Sequence, residues 1–202
     1  MADSLYQDKV LRIRRLVVGP LDNNVFVVAC SRTGKAVIID AAAESHLIEE
    51  AVADFDPVAI LTTHGHHDHV GAAVKVRDRL GVPLRIHPAD AALAGFVPDL
   101  PLEHGAEVAV GALRLSVIHT PGHTPGSTCL IVPGHLFSGD TLFPGGPGAT
   151  RRPGSSFESI IESIQHRLFT LPDDTRVHPG HGADTTIGTE RPQLPEWIAR
   201  GW

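Results

Sequence analysis

The stretch Thr62-Thr63-His64-Gly65-His66-His67-Asp68-His69 decides how this chain is read. It follows a short apolar run, residues 58–61, and leads into an amphipathic segment. In an extended loop, residues i and i+2 face the same way, so His64 and His66 can share one ion. Asp68 and His69 begin the next helix and project one turn further. Two pairs of donors set apart in this way suit two ions rather than one.

Three later stretches share the design of an apolar strand that ends in a donor-type residue. Residues 113–118 run into His119-Thr120-Pro121-Gly122-His123. Residues 136–138 run into Gly139-Asp140-Thr141, and residues 175–177 into His178-Pro179-Gly180-His181-Gly182. Functional groups gather where the strands of an open sheet end, so these four strand ends are expected to converge on one edge. Imidazole and carboxylate donors suit zinc, and also iron, manganese or cobalt. Two ions about 3.5–4 Å apart can share a hydroxide, and a bound ion lowers the pKa of water from 15.7 to about 7. Hydrolysis then needs no Ser-His-Asp triad.

Around these motifs the chain alternates strands and helices. Strands are predicted over 10–18, 25–30, 36–39, 57–61, 84–86, 113–118, 128–132, 136–137 and 175–177. Helices are predicted over 44–55, 69–80 (Val70, Ala73 and Val74 inward), 88–94, 155–169 and near 194–200. Ser155 and Glu158 are spaced as a capping box for the fourth helix. Phe157, Ile160, Ile161, Ile164 and Leu168 form its buried stripe. The pattern fits a layered α/β protein with a mixed sheet. The Gly- and Pro-rich segment 143–156 reads as a binding loop.

His64-x-His66-x-Asp68-His69, Pro121-Gly122-His123, Gly139-Asp140 and Pro179-Gly180-His181 together resemble the motifs of the metallo-β-lactamase superfamily, in that family's order. The resemblance implies a four-layer αββα sandwich, two mixed β-sheets flanked by helices, with a metal site at one edge. It implies that His64, His66 and His123 hold a first metal, that Asp68, His69 and His181 hold a second, and that Asp140 bridges them. Asp40, which ends Val37-Ile38-Ile39-Asp40, matches an acidic position that supports the site from behind. Within the superfamily, Ser138-Gly139-Asp140-Thr141-Leu142-Phe143 and Leu168-Phe169-Thr170-Leu171-Pro172-Asp173-Asp174-Thr175 resemble compact bacterial glyoxalase II-type hydrolases. The resemblance implies hydrolysis of a small thioester by a metal-bridging hydroxide, with Asp68 as the catalytic residue that orients it. A persulfide dioxygenase-like enzyme with one iron, or a phosphodiesterase of the same fold, is the alternative. Two divalent ions are expected, zinc first, with iron or manganese compatible.

Composition narrows the field. The chain has 202 residues, enough for one domain spanning 1–202, expected to lack a C-terminal helical substrate domain. With 42% hydrophobic residues and a net charge of −6, it is too apolar for disorder. A net negative charge with three lysines makes nucleic acid an unsuitable partner, and no apolar run is long enough to span a membrane. The start, MADSLYQDKV, lacks the features of a signal peptide, so a cytoplasmic location is expected. Cys30 and Cys129 lie in apolar runs and read as buried thiols.

Histidine is in excess, 13 of 202. His67 is expected to face solvent. His119 and His178 precede donor loops and read first as ordinary structural residues, with lining of the site as the alternative. His46, His87, His104, His135 and His166 read as surface or packing residues. Arg151 and Arg152 form either a solvated turn or a clamp on a substrate carboxylate or phosphate. Ligand histidines must be neutral to bind, and an ordinary imidazole titrates near 6.5. Metal affinity is therefore expected to fall as pH drops below about 6. Equal activity at pH 5 and pH 8, at fixed free metal, would contradict a histidine-held centre.

Overall fold

The structure is a computed structural model and describes residues 3–201; Met1, Ala2 and Trp202 lie outside the described residues. The first half builds a seven-stranded sheet: β1 (Asp3–Gln7), β2 (Leu11–Val18), β3 (Asn23–Cys30), β4 (Lys35–Ile39), β5 (Asp56–Leu61), β6 (Leu84–Ile86) and β7 (Leu100–Pro101). The strands lie in chain order, antiparallel from β1 to β4 and parallel from β4 to β7. Parallel neighbours need crossovers. These are supplied by α1 (Ser45–Val52), then by α2 (His67–Val70) with α3 (Ala73–Leu80), then by a 3₁₀ turn (Pro88–Asp90) with α4 (Ala91–Ala94).

The second half builds a six-stranded sheet from β8 (Glu107–Val110), β9 (Leu113–His119), β10 (Thr128–Val132), β11 (His135–Gly139), β14 (Arg176–Pro179) and β15 (Thr185–Thr186). Between β11 and β14 the chain makes a small hairpin, β12 (Leu142–Phe143) with β13 (Gly146–Pro147), and then α5 (Phe157–Ser163). Two further helices follow, α6 (Ile187–Glu190) and α7 (Leu194–Arg200).

Three apolar layers build the sandwich, one between the two sheets and one between each sheet and its helices. Ile13, Phe26, Val28, Val37, Ile39 and Leu61 of the first sheet meet Val108, Leu115, Val117, Leu130 and Phe137 of the second. Val25, Val27, Ile38 and Ile60 point the other way, against Ile48, Val52, Ala73 and Val76 of α1 and α3. On the far side of the second sheet, Leu136 and Val177 pack on Ile160, Ile164, Leu168 and Trp197. The order is helix, sheet, sheet, helix, the four-layer αββα sandwich expected from the sequence. All eight residues of β3 are buried because both of its faces are covered.

The structure corrects four local expectations. The helix expected over 69–80 is broken at Gly71 and Ala72. Ala72 N–H donates to Ala41 O at 3.0 Å, outside the helix, and a Cβ on Gly71 would meet Ala42 O at 2.7 Å. The break resets the helical phase, so Val76 is buried and Val74, expected inward, is exposed. The cap of α5 is Ser156, whose oxygen accepts from Ser159 N–H, while Ser155 donates to Arg152 O; the expected Ser155–Glu158 box does not form. The same helix ends in a π-helical turn, Ile164–Leu168, closed by Phe169 N–H on Ile164 O. Finally, β1 and β8 were not expected as strands. β1 is polar and carries a bulge between Ser4 and Tyr6, and β8 is only four residues long.

Trp197 is 1% exposed and lies against Phe169, while its neighbour Ile198 is 49% exposed. Trp197→Ala is expected to cost about 3–5 kcal/mol, the usual loss for a buried aromatic. Ile198→Ala is expected to stay within about 0.5 kcal/mol. Urea unfolding of the two variants checks the contrast.

Candidate metal centre

Every donor expected at the site sits at or just beyond the end of a strand. β5 delivers His64 and His66, and α2 delivers Asp68 and His69. The loops after β9, β11 and β14 deliver His123, Asp140 and His181. The structure brings all seven together, in three overlapping groups whose donor atoms lie within 4.8 Å of one another: His64, His66 and His123; His64, His69 and Asp140; Asp68, His69 and His181.

In the four histidines His64, His69, His123 and His181, a protein acceptor holds Nδ1 and leaves Nε2 free to ligate. His123 Nδ1 donates to Ala149 O at 2.8 Å and His181 Nδ1 to Leu21 O at 2.9 Å. A carbonyl can only accept, so both Nε2 atoms present lone pairs inward. His69 Nδ1 donates to Asp40 Oδ2 at 2.9 Å. The Thr63 hydroxyl donates to the same Asp40 oxygen at 2.7 Å, which leaves its oxygen to accept from His64 Nδ1 at 3.1 Å. Metal-binding histidines almost always have their second nitrogen occupied in this way.

The donor separations fit an ion. Bonds of about 2.0–2.1 Å in a tetrahedron place donors about 3.3–3.4 Å apart. His69 Nε2 and His181 Nε2 are 3.3 Å apart, His181 Nε2 and Asp68 Oδ2 3.3 Å, and His69 Nε2 and Asp68 Oδ2 3.5 Å. In the other group, His66 Nδ1 and His123 Nε2 are 2.9 Å apart. Asp140 stands between the groups. Its Oδ1 is 3.4 Å from His69 Nε2, and its Oδ2 is 3.5 Å from His123 Nε2 and 3.9 Å from His181 Nε2. His64 Nε2 and Asp140 Oδ1 are buried without any hydrogen-bond partner. Two such orphans in one cluster indicate a ligand that satisfies them.

The two groups differ electrostatically. His64, His66 and His123 are buried, while Asp68 and His181 are about one-quarter exposed. Burial, then His123 and Arg152, push His66 down to about 4, and burial with the neighbouring histidines pushes His64 down as well. Burial would also push His69 down, but Asp140 and Asp40 outweigh it and raise it to about 9. Burial would raise Asp68; hydrogen bonds from His181 and Asn23 outweigh it and hold the carboxyl well below the usual range.

Asp40 is buried as expected and at φ +58°, a left-handed conformation that Asp tolerates better than most residues. Gly180 allows the last loop to approach: a Cβ there would lie 2.5 Å from both Asp140 Oδ1 and His69 Cε1. His67 is exposed, as expected. His119 donates to Pro125 O and stacks on His87, and His178 packs in the sandwich beside Phe26 and Phe137, so neither is among the donors. Of the spare histidines, His135 is a buried packing residue and His46, His104 and His166 are exposed. Arg151 and Arg152 are exposed, and among the described residues neither guanidinium makes a hydrogen bond or ion pair. Arg152 is close enough to His66 to depress its pKa.

Sequence reasoning missed the residues that hold the loops. Asn23 and Asn24 lie in an Asp-Asn-Asn turn pattern between the strands predicted over 10–18 and 25–30. Asn23 Nδ2 donates to Asp68 Oδ2 at 3.0 Å, and Asn24 Nδ2 donates to Pro179 O and Gly182 O, on both sides of His181. Nothing in an Asp-Asn-Asn turn pattern announces contacts 45 to 158 residues away.

The profile of the Metallo-beta-lactamase superfamily matches residues 18–181. The chain belongs to this superfamily. It is 40% identical over 197 residues to an uncharacterized protein of Aquifex aeolicus (89% of this chain, 93% of that protein). It is 35% identical to the probable metallo-hydrolase YqgX of Bacillus subtilis (92% and 97%) and 34% identical to the hydroxyacylglutathione hydrolase GloC of Haemophilus influenzae (79% and 86%). Among solved structures, ETHE1 from Myxococcus xanthus matches with a TM-score of 0.83 and 30% identity (91% of this chain, 83% of that one). The BLEG-1 B3 metallo-beta-lactamase matches at 0.82 and 32% (91% and 98%), and TTHA1623 in a di-iron-bound form at 0.77 and 36% (88% and 96%). Superfamily membership and the donor cluster together mark a metal-dependent enzyme with room for two ions.

The pKa pattern splits the pH response. Without metal, His69 keeps its proton up to about pH 9, so ligation by Asp68, His69 and His181 must displace it. Affinity there should fall progressively as pH drops below about 9. His66 competes with protons only as pH approaches 4. Equilibrium dialysis at fixed free zinc, with elemental analysis from pH 9 to pH 5, should lose one ion well before the other. Loss of both ions together would contradict the split.

Proposed function

We propose that the protein hydrolyses a small thioester, with His64, His66 and His123 holding one divalent ion, Asp68, His69 and His181 a second, and Asp140 shared between them. The observation that carries this reading is the pair of donor groups on either side of Asp140, with His64, His69, His123 and His181 each pinned through Nδ1. When bound, such ions polarise an ester carbonyl and lower the pKa of water to about 7.

The residues of the chain do the rest. Asp68, held by Asn23 and kept ionised, orients the attacking water and is too weak a base to carry a proton at neutral pH. A thiolate leaves without a strong general acid, which favours a thioester over an amide. Among the described residues neither Arg151 nor Arg152 has a side-chain partner, and Arg152 is near enough to His66 to depress its pKa, so Arg152, with Arg151 beside it in the chain, can clamp a carboxylate on the thiol carrier. Leu21 and Leu93 add exposed apolar surface near the donor loops. The likeness to a hydroxyacylglutathione hydrolase supports this substrate class.

The likeness to the ETHE1 structure favours one second reading, a persulfide dioxygenase-like reaction at a single iron, whereas the di-iron-bound TTHA1623 supports iron as a metal but a pair of ions. Elemental analysis separates the two: about two ions per chain for the hydrolase, one iron for the oxygenase.

A thioester panel, run with zinc-, iron- and manganese-loaded protein, should show turnover. Asp68→Ala and His123→Ala should each lower it by about a hundredfold to a thousandfold or more, the scale for removing one group that stabilises developing charge. Circular dichroism should show both variants folded. Wild-type rates in either variant would refute the assignment.

A further inference from the structure

Asp90 is fully buried and takes no part in any donor group, yet its carboxylate lies at the junction of the two loops that supply all three histidines of the first group. Its Oδ2 accepts from Gly65 N–H, between His64 and His66, at 2.7 Å. The same oxygen accepts from the hydroxyl of Thr124, next to His123, at 2.7 Å. Its Oδ1 accepts from Gly126 N–H, also at 2.7 Å. Among the described residues no cation pairs with it. Burying a carboxyl group is expensive unless hydrogen bonds replace water, and here three short ones do. A Cβ on Gly126 would come within 2.7 Å of Asp90 Oδ1, so the loop after His123 can close on the carboxylate only because that residue is glycine.

From this geometry we infer that Asp90 is a positioning residue, which locks the β5–α2 loop to the loop after β9 and so sets the spacing of His64, His66 and His123. The inference rests on the two-ion reading above. The second group is held by other means: His69 by Asp40, Asp68 by Asn23 and His181 by Leu21 O. Loss of Asp90 therefore weakens one ion and spares the other. Asp90→Asn keeps the shape but turns one acceptor oxygen into an amide N–H that faces a donor. Thr124→Val removes the hydroxyl's hydrogen bonds to Asp90 and with Ser127 Oγ, leaves both backbone N–H bonds to Asp90, and keeps the shape as well.

The test is zinc affinity, by competition with a chromogenic chelator, in two parents. In His181→Ala the three-histidine group remains the intact one, and in His123→Ala the Asp68–His69–His181 group does. Asp90→Asn should lower zinc affinity about ten- to a hundredfold in the first parent, the usual cost of losing a residue that orients metal ligands. It should change affinity less than about twofold in the second. Thr124→Val should give the same contrast at smaller size, and it decides the matter if Asp90→Asn does not fold. Equal losses in both parents, or no loss in the first, overturn the positioning role. Parents that bind no zinc at all overturn the two-ion reading together with it, so the two failures are distinguishable.

Discussion

The site depends first on one buried carboxylate. Asp40, at the end of β4, accepts from Thr63 N–H, from the Thr63 hydroxyl and from His69 Nδ1. These bonds tie the first turn of α2 to the neighbouring parallel strand. They also decide the tautomers: His69 turns Nε2 inward, and Thr63 passes the same constraint to His64. Asp40 takes up a left-handed backbone to do this. The cost is offset only because so many groups converge on it.

Around that point the centre is built in two unlike halves. One is three buried imidazoles. The other mixes carboxylates with imidazoles at the half-open mouth, where proton and ion compete for His69. Asp140 faces both through its two oxygens. The contrast follows from placement: His64, His66 and His123 are buried, whereas Asp68 and His181 are about one-quarter exposed.

Much of this was legible from the amino acids. The four-layer order, and the convergence of the seven side chains in front of Asp40, could be read because chemistry and strand ends coincide in short, dense motifs. What escaped were contacts between residues distant in sequence. Asn23 and Asn24 carry no local mark of the loop they secure, and Asp90 sits in a Pro-Ala-Asp turn that reads as a helix start. Val74 and Val76 exchanged places because a backbone hydrogen bond from Ala72 to another loop broke a helix that periodicity alone continues. Ser155 lost the cap to its neighbour for a similar reason: its hydroxyl found Arg152 O first. Local pattern predicts which faces are apolar, but long-range pairing decides where each element stops.

The donors come from both sheets, and His69 and His181 are separated by 112 positions along the chain. An ion gripped by them would act as a rivet between the two halves, added to their shared apolar layer and to hydrogen bonds such as those from Asn24 Nδ2 to Pro179 O and from Thr128 N–H to Thr63 O. Such a rivet closes a very long loop, where chain entropy makes closure most costly for the unfolded state. Folding and cation supply would thereby be coupled, and heat tolerance and resistance to proteases would track the trace-metal content of the surroundings.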